Sequence, residues 1–323
     1  MEFIRGLHNI KPSHRGTVLT IGNFDGVHQG HQAVIEGAIA KAKALGLTAT
    51  VMLFEPQPME VFIKDKAPAR LYRLRDKVLR LQHLGVDQLL CIRFSYAFAA
   101  MDAMAFIEQL LVAQLDTKHL IVGDDFCFGK DRQGNFAMLV EAGRQFGFGV
   151  TDTQSYRLKD CRISSTAIRA ALTSGEFEHA KLMLGHPFSI SGKVSHGDKK
   201  GRTIGFPTAN IALKRNVSPV HGVFAVRANT SYGEFEGVAN IGNRPTVNGT
   251  IPLLEVHLFA FSHQIYGEQI EVVLHHKLRD ECKFDSLDGL KAQIALDVEQ
   301  AKIFFTNSLR TPYKLNESGK KHR

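Results

Sequence analysis

The pattern of apolar runs changes once along the chain, near residue 185, and this change constrains the fold more than any other feature. Up to about residue 180, short apolar runs typical of buried strands alternate with longer helical patterns. From about residue 188 to 280 only short runs follow, separated by turn residues, before one helical pattern at 286–305. The alternation predicts a mostly parallel α/β sheet, and the short runs predict an antiparallel barrel or sandwich. We therefore predict two domains that meet near Gly185–Pro187.

The elements of the first domain follow from this alternation. The predicted strands are 16–21, 47–54, 87–94 and 118–126, and the predicted helices are 31–46, 73–85, 102–115, 135–147, 164–175 and 176–185. Several of these helical patterns end at glycine, which commonly terminates helices. In the second domain the strand patterns are FSISGKVSHG, GVFAVRANTS, FEGVANIG, PLLEVHLFAF and QIEVVLHH.

Composition limits the class of protein. With 323 residues the chain can form two ordinary domains, and 44% apolar and 22% charged residues are typical of soluble globular proteins. No apolar run spans a membrane, the start lacks a signal-peptide core, and the four cysteines form no CxxC pair. We expect a cytoplasmic protein without disulfides or structural zinc. The basic end, residues 311–323, is expected to be a disordered tail.

Net charge is +8 and the pI is about 9.3. Such a balance suits nucleic acid, a membrane surface or small phosphorylated ligands. A basic surface that keeps the protein soluble is the plainer explanation, so charge alone selects no partner.

Three glycines, two histidines and an aspartate stand together in GNFDGVHQGH (22–31), between a predicted strand and a predicted helix. This segment could be a flexible loop, a metal site or a phosphate site. Ligands of parallel sheets bind beyond the carboxyl ends of strands, where a helix N-terminus offers free N–H groups to phosphate. His28 and His31 flank the helix start and can donate hydrogen bonds to phosphate oxygens. A metal site needs a third ligand that the sequence does not obviously supply, so the pattern favours phosphate.

A second segment, ISSTAIR (163–169), predicts a helix opened by serines and a threonine, with Arg169 one turn further on. Alone, it indicates only a helix N-cap and a solvent-facing arginine. GNFDGVHQGH resembles the HxGH signature of the nucleotidyltransferase superfamily, and ISSTAIR resembles the superfamily segment that contacts the ATP phosphates. Two signatures in the expected order favour the phosphate interpretation.

Further motifs narrow the resemblance. FEPQP (54–58), VGDDFCFG (122–129) and GN (134–135) resemble segments of the bacterial bifunctional riboflavin kinase/FMN adenylyltransferase (FAD synthetase) family. The similarity covers about residues 15–306. It implies that residues 1–185 form a Rossmann-like nucleotidyltransferase domain, which transfers AMP from ATP to FMN and releases pyrophosphate.

The resemblance also implies site residues in this domain. His28 and His31 stabilise charge at the α-phosphate of ATP, and the ISSTAIR segment holds the leaving pyrophosphate. The residues assigned to ATP are Gly22, Asn23, Phe24, Asp25, His28, His31, Asn135, Ser164, Ser165, Thr166 and Arg169. The residues assigned to the flavin in this domain are Asp124, Asp125 and Phe128; in the second domain, LRDECKF (278–284) resembles a flavin-side loop, which implies Arg279 as a flavin contact there.

Two segments of the second domain carry polar residues that a barrel strand does not need. In GDKKGRTIGFPTAN (197–210), glycines offer backbone N–H groups to phosphate, and threonine and asparagine oxygens suit Mg²⁺. Composition alone favours a plain loop with a Pro-Thr turn. In PLLEVHLFAF, Glu255 and His257 share the strand face opposite the leucines. Periodicity does not decide whether Glu255 lies on a wet surface or acts as a general base in a pocket.

Here too a resemblance adds to the pattern. GRTIGFPTAN resembles the flavokinase signature, and LEVHLF resembles the segment that holds that family's catalytic glutamate. This implies that residues 186–310 form a six-stranded antiparallel barrel with a terminal helix, in which Glu255 takes the proton from the riboflavin 5′-hydroxyl. Thr208 and Asn210 are implied Mg²⁺ ligands. The residues assigned to ATP in this domain are Gly201, Arg202, Gly205, Phe206 and Pro207.

The implied partners are small molecules: ATP, riboflavin, FMN and the product FAD. No nucleic acid or membrane partner is expected, and the protein is expected to be a monomer or a weak oligomer. One alternative is an adenylyltransferase for another substrate with the barrel as an appendage. Another is a basic barrel that binds RNA, although the chain lacks tryptophan and the interleaved exposed aromatics of such binders.

Overall fold

A six-stranded parallel sheet forms the centre of the first half of the chain. A computed structural model describes residues 1–123, 125–153, 157–158, 161–196, 205–215, 217–246 and 249–310. The strands of the sheet are β1 (Glu2–Arg5), β2 (Thr17–Ile21), β3 (Thr48–Phe54), β4 (Gln88–Ile92), β5 (His119–Gly123) and β6 (Gly149–Thr153). Their spatial order is β1-β4-β3-β2-β5-β6, and every neighbouring pair is parallel. The predicted parallel sheet is confirmed.

Helices connect these strands. They are α1 (Gln29–Leu45), α2 (Pro58–Phe62), α3 (Leu74–His83), α4 (Tyr96–Ala99), α5 (Ala103–Ala105), α6 (Phe136–Phe146), α7 (Ser165–Thr173) and α8 (Phe177–Leu184). Short 3-10 helices cover Leu7–Asn9, Pro12–His14, Lys64–Lys66 and Lys130–Arg132. Helix α1 ends at Gly46, whose φ of 65° is left-handed, as the glycine in the pattern predicts.

Three details differ from the sequence prediction. Strands β1 and β6 were not predicted, because both are edge strands in which most side chains are exposed or half-buried. Such strands lack the continuous apolar run of the central strands. The helix predicted at 102–115 continues from α5 with π-helical turns over Phe106–Gln114. A two-stranded ribbon, β7 (Arg157–Leu158) and β8 (Cys161–Arg162), also joins this half.

The sheet buries apolar side chains on both faces. Leu19 and Met52 belong to a cluster with the π-helical segment, whereas Val51 and Leu89 belong to a cluster with Ile35 of α1. The chain passes from β2 to β3 on one side, while β5 lies on the other side of β2. The carboxyl end of β2 is therefore a topological switch point, the usual ligand position in open parallel sheets.

A closed antiparallel barrel forms the second half. Its strands are β9 (Ser189–Ser195), β10 (Ala209–Ala212), β11 (Gly222–Thr230), β12 (Gly233–Thr246), β13 (Gly249–Leu258) and β14 (Gln269–Arg279). Their order is β10-β13-β12-β11-β14-β9, and the pairing of β9 with β10 closes the barrel. Helix α9 (Leu287–Arg310) packs Val298, Ala301 and Phe305 against Val223 and Ala225 of β11. The predicted six-stranded barrel with a terminal helix is confirmed.

The chain divides into two compact units. The first contains Met1–Ser174, Glu178–His186 and Arg215–Pro219. The second contains Gly175–Phe177, Pro187–Lys214 and Val220–Arg323. The main boundary between the units along the chain therefore lies at His186–Pro187. Two short segments are exceptions: Gly175–Phe177 belongs to the second unit and Arg215–Pro219 to the first. Among the described residues, no helix is both long enough and apolar enough to cross a bilayer.

Candidate functional site

The loop Gly22–His28 joins β2 to α1 at the switch point of the sheet. Its backbone is unusual, because Phe24 and Val27 have φ values of 45° and 41°, in the left-handed region that non-glycine residues rarely adopt. The side chains of Phe24, Asp25 and Val27 are nonetheless buried. The loop is therefore a packed element, and the flexible-loop interpretation is wrong.

His28 and His31 lie together at the start of α1. The Nδ1 atom of His28 accepts a hydrogen bond from the His31 backbone N–H at 3.3 Å, which makes His28 the N-cap of the helix. The two rings stack with centroids 3.6 Å apart. Because Nδ1 of His28 is an acceptor, the proton of its neutral ring lies on Nε2 and remains available for donation.

Both histidines are neutral near pH 7. Burial lowers the pKa of His28 to about 4, against an opposing effect of the nearby Asp25 carboxylate. Burial also holds the pKa of His31 well below its usual value, and the positive charge of Lys77 lowers it further. The pair can therefore donate hydrogen bonds from uncharged rings. Within the described part of the chain, no group of three His, Cys, Asp or Glu side chains is placed to hold a metal ion.

Asp25 joins three segments of the chain. Its carboxylate is buried and accepts hydrogen bonds from the N–H groups of Leu71 and Tyr72, at 3.0–3.1 Å. Nη2 of Arg169 donates to the same carboxylate at 2.6 Å, and Nε of Arg169 donates to the carbonyl of Ala69. The predicted ATP residues Asp25 and Arg169 are thus each other's partners, and the alternative of a solvent-facing Arg169 is wrong.

Helix α7 also contacts the loop through its first turn. Ser164 is the N-cap, since its Oγ accepts a hydrogen bond from Ala167 N–H at 3.2 Å. The Oγ of Ser165 donates to the carbonyl of Asp25 at 2.9 Å. Thr166 is exposed at the same helix start. The two motifs that sequence analysis paired are therefore adjacent in space.

The other predicted residues of this unit follow β5. Asn135 is the exposed N-cap of α6 and accepts from Met138 N–H at 3.0 Å. Asp125 is exposed and forms an ion pair with Arg162. Phe128 is 7% exposed and packs in the core, where its ring meets Phe106 and Phe126. Asp124 lies outside the described residues.

Sequence analysis missed a buried cation beneath the loop. Lys77 of α3 is completely buried, and its Nζ donates to the carbonyl of Asn23 at 2.9 Å. Leu74 and Leu81 lie one helical turn before and after it, so the sequence places Lys77 on the apolar stripe of the helix. This position could have indicated that the lysine is buried.

A charged network after β3 was missed as well. The guanidinium of Arg70 binds the carboxylates of both Glu55 and Glu60. Glu55 belongs to the FEPQP motif, which sequence analysis used only as a mark of resemblance.

An exposed aromatic surface lies at the same carboxyl edge of the sheet. It is formed by Met59 and Phe62 of α2 and Tyr96 of α4, which are 46%, 48% and 61% exposed. The ring of Phe62 meets those of Phe94 and Tyr96 edge to face. Because α2 and α4 follow β3 and β4, this surface lies on the side of the sheet where the loop begins.

The second unit places Glu255 in a row of polar residues. In the register of the barrel, Glu255 of β13 lies directly opposite Asn210 of β10 and Asn240 of β12. Directly opposite residues share a face, so two amides flank the carboxylate. Glu255 is half-buried, and Oδ1 of Asn240 is buried without a hydrogen-bond partner in the described structure. Asn240 was not predicted.

The same barrel strands also border a cavity of about 260 Å³, which is lined by Ala209 and Val256 on the face opposite Asn210 and Glu255. Its walls include Pro207, Thr208 and Ala209, which lead into β10, and the segment 261–266. Nδ1–H of His257 donates to the carbonyl of Pro207 at 2.9 Å. The predicted kinase residues Gly205, Phe206, Pro207 and Thr208 are described, whereas Gly201 and Arg202 lie outside the described residues.

Arg279, predicted to contact flavin, is engaged with the terminal helix. Its Nε and Nη2 atoms bind the buried carboxylate of Asp297 at 2.8 and 2.7 Å. Its Nη1 atom donates to the carbonyl of Asp280. Glu281, in the same turn, accepts from the amide of Asn240 at 3.1 Å.

Comparison with known proteins identifies the family. The family model described as FAD synthetase matches residues 10–167, and the one described as riboflavin kinase matches residues 184–305. Bifunctional riboflavin kinase/FMN adenylyltransferase of Haemophilus influenzae is 54% identical over 308 residues, covering 95% of this chain and 100% of the relative. The chain belongs to the bifunctional riboflavin kinase/FMN adenylyltransferase family. The family named from the sequence motifs is confirmed.

A second relative bears the same name, and one solved structure has a similar fold. The Escherichia coli K12 protein of that name is 54% identical over 308 residues, which are 94% of this chain and 98% of the relative. A crystal structure described as a macrolide-efflux protein from Streptococcus pneumoniae superposes with a TM-score of 0.79 at 30% identity. That alignment covers 94% of this chain and 99% of the other. The name macrolide-efflux protein applies to the S. pneumoniae protein and is not transferred to this chain.

Removing the Asp25 carboxylate should destabilise the first unit of this family member. In Asp25→Ala, the guanidinium of Arg169 and two buried N–H groups lose their acceptor, so we expect a loss of about 3 kcal/mol. Asp125→Ala breaks an exposed ion pair and should cost less than about 0.5 kcal/mol. Urea unfolding of the full chain, with hydrogen exchange at Leu71 and Tyr72, measures both effects. Equal stability of the two variants would contradict the role of Asp25.

Proposed function

We propose that this chain makes FMN from riboflavin and ATP in its barrel unit, and FAD from FMN and ATP in its sheet unit. The observation that carries the proposal is that each family match contains its own candidate site. The match to FAD synthetase includes His28 and His31, and the match to riboflavin kinase includes Asn210 and Glu255. Relatives that carry both activities in their names align over almost the whole chain, which disfavours a single activity or an RNA-binding barrel.

The adenylyl transfer needs no general base. An oxygen of the FMN phosphate is already anionic; it forms a bond to the α-phosphorus of ATP while the bond to the pyrophosphate oxygen breaks. The protein's task is then to position the reactants and to stabilise charge. Neutral rings of His28 and His31 suit this task, because each can donate an N–H to a phosphoryl oxygen without itself exchanging a proton. Ser164, Thr166 and Asn135 are proposed to bind the nucleotide phosphates from exposed helix starts.

The flavin of this reaction is proposed to lie on the exposed aromatic surface of Met59, Phe62 and Tyr96. A flat tricyclic ring gains most by covering apolar and aromatic area, and these side chains offer it at the edge of the sheet where the loop lies. Asp125 remains a predicted flavin contact.

The phosphorylation of riboflavin does need a base, because its 5′-hydroxyl is neutral. Glu255 is proposed to take the hydroxyl proton while the oxygen forms a bond to the γ-phosphorus of ATP and ADP leaves. The half-buried position of Glu255 between two amides supports this role over that of a wet surface residue. The cavity bordered by Pro207 and Thr208 is proposed to receive the nucleotide.

Magnesium is proposed as the cofactor. The donors near Glu255 are oxygens of the kind that Mg²⁺ prefers, namely the Thr208 hydroxyl and the Asn210 amide carbonyl. On the other side of Glu255, Oδ1 of Asn240 is a further oxygen that is buried and without a hydrogen-bond partner in the described structure. When bound, Mg²⁺ would neutralise phosphate charge. A cytoplasmic location and a monomeric or weakly oligomeric state stay predictions.

The function is tested by incubating the protein with riboflavin, ATP and Mg²⁺ and separating the flavins by chromatography. FMN should appear first and FAD afterwards. Formation of FAD from added FMN, without formation of FMN from riboflavin, would restrict the protein to the first reaction. Absence of both products would overturn the proposal.

Replacing His31 should affect FAD formation alone. His31→Ala removes a donor to the reacting phosphate, so we expect FAD formation from FMN to fall by at least about 100-fold. Formation of FMN from riboflavin by the same protein should not change. His83→Ala, which alters an exposed histidine of α3, serves as the control. Normal adenylyl transfer by His31→Ala would show that His31 has no catalytic role.

Replacing Glu255 should have the opposite effect. Glu255→Gln keeps the size of the side chain and removes the base, so phosphorylation of riboflavin should fall by about 100-fold or more. Adenylylation of added FMN should persist. Glu234→Gln, an exposed change on β12, is the matched control. If riboflavin is still phosphorylated at the normal rate, the base is another group.

A further inference from the structure

Lys77 is a buried cation that neither reaction, as described, requires. Its side chain is completely buried, and its Nζ donates to the carbonyl of Asn23 at 2.9 Å. Burial lowers the Lys77 pKa, and the nearby carboxylates of Asp25, Glu55 and Glu60 oppose this effect. Lysine is almost never fully buried unless its charge is paired, because desolvation of an ammonium is costly. A fold that needed only volume at this position would be served better by leucine or methionine. The position therefore suggests a role in the adjacent loop.

Three side chains hold alternate carbonyls of that loop. Lys77 binds the carbonyl of Asn23, Ser165 binds that of Asp25, and Nε2 of Gln32 binds that of Val27 at 2.7 Å. In a trans peptide the carbonyl and the following N–H point in opposite directions. A side chain that holds one of these carbonyls therefore turns the N–H group of the following residue away from itself. The N–H groups so turned belong to Phe24, Gly26 and His28.

These three N–H groups are suited to an anion. They donate to no acceptor in the hydrogen bonds recorded for the described residues. Successive free N–H groups in a turn form a concave site for anions. A carbonyl turned into such a site would repel phosphate, so the direction of each peptide decides whether the loop attracts or repels a nucleotide.

The peptide between Asn23 and Phe24 is the one most in need of an anchor. Phe24 has a φ of 45°, a left-handed conformation that is strained for a non-glycine residue. Such a conformation persists only where its surroundings impose it. The bond from Lys77 lies directly at this residue, on the carbonyl that precedes it.

We propose that Lys77 is a positioning residue for adenylyl transfer, whose ammonium holds the Asn23–Phe24 peptide so that the Phe24 N–H faces the nucleotide phosphates. The proposal rests on the proposed function of the sheet unit. Lys77 acts through the loop and does not touch the substrate, since it is fully buried. Its positive charge has a second effect at the same place, because it helps to keep the His31 ring neutral.

The test compares Lys77→Met with Leu81→Met in the full chain. Methionine keeps the length and apolar volume of lysine but removes the ammonium. Leu81 is fully buried one turn further along α3, so its replacement perturbs the same packing without removing a charge. Formation of FAD from FMN and ATP, formation of FMN from riboflavin, and the urea unfolding midpoint are measured for both variants and the unaltered protein.

In Lys77→Met we expect kcat for adenylylation to fall by about 100-fold with little change in KM for ATP, as for loss of a donor that acts mainly in the transition state. The kinase reaction should not change. The unfolding midpoint should stay equal or rise, because replacing a buried charge by an apolar side chain is often neutral or stabilising. Leu81→Met should retain adenylylation.

Two results would overturn the proposal. In the first, Lys77→Met forms FAD at the normal rate. In the second, adenylylation and the unfolding midpoint fall together, or the variant does not fold, which would make Lys77 a support of the fold. Failure of the proposed function is distinguishable from both, because then the unaltered protein itself would make no FAD.

Discussion

The ion pair between Asp25 and Arg169 is the contact on which the sheet unit's site depends. The two residues are 144 positions apart, and their meeting joins the loop after β2 to helix α7. The same carboxylate binds the N–H groups of Leu71 and Tyr72, which ties a third segment to the loop. An unpaired buried charge costs several kcal/mol, so an arrangement that separated Asp25 from Arg169 would be strongly disfavoured. His28 takes its position from this arrangement, because it follows the loop and caps α1 directly.

Much of the architecture could be predicted because apolar periodicity reports burial. All five residues of β2 are buried, which produces the apolar run of a central parallel strand. On β13, Leu254, Val256 and Leu258 are buried while Glu255 between them is half-buried, as alternation predicts. Where burial is partial the signal fails, and for this reason β1 and β6 at the sheet edges were missed.

The partners of charged residues could not be predicted, because pairing depends on contacts between distant segments. Asp25 and Arg169 were both predicted to contact ATP, and the structure pairs them with each other. Arg279 was predicted to contact flavin, and its guanidinium binds Asp297 of α9. In both cases the sequence identified a charged residue near a site but did not distinguish a ligand contact from an internal ion pair. Lys77 is the opposite case: the sequence places this lysine on the apolar stripe of a helix, which indicates burial, but it was not predicted as a site residue.

The two sites differ in the protonation of their nucleophiles, and the residues differ accordingly. A phosphate monoester arrives at the sheet unit as an anion, so a base there would have no proton to take. Burial that keeps His28 and His31 neutral is then an advantage, because a neutral imidazole can donate a hydrogen bond but does not readily transfer its proton to the substrate. A hydroxyl arrives at the barrel as a neutral group, so its attack is assisted by a base that accepts its proton. Glu255, the proposed base, is half-buried and lies between two amides of the neighbouring strands. The type of side chain at each site, neutral N–H donor or carboxylate, thus follows from the chemistry that each unit is proposed to perform.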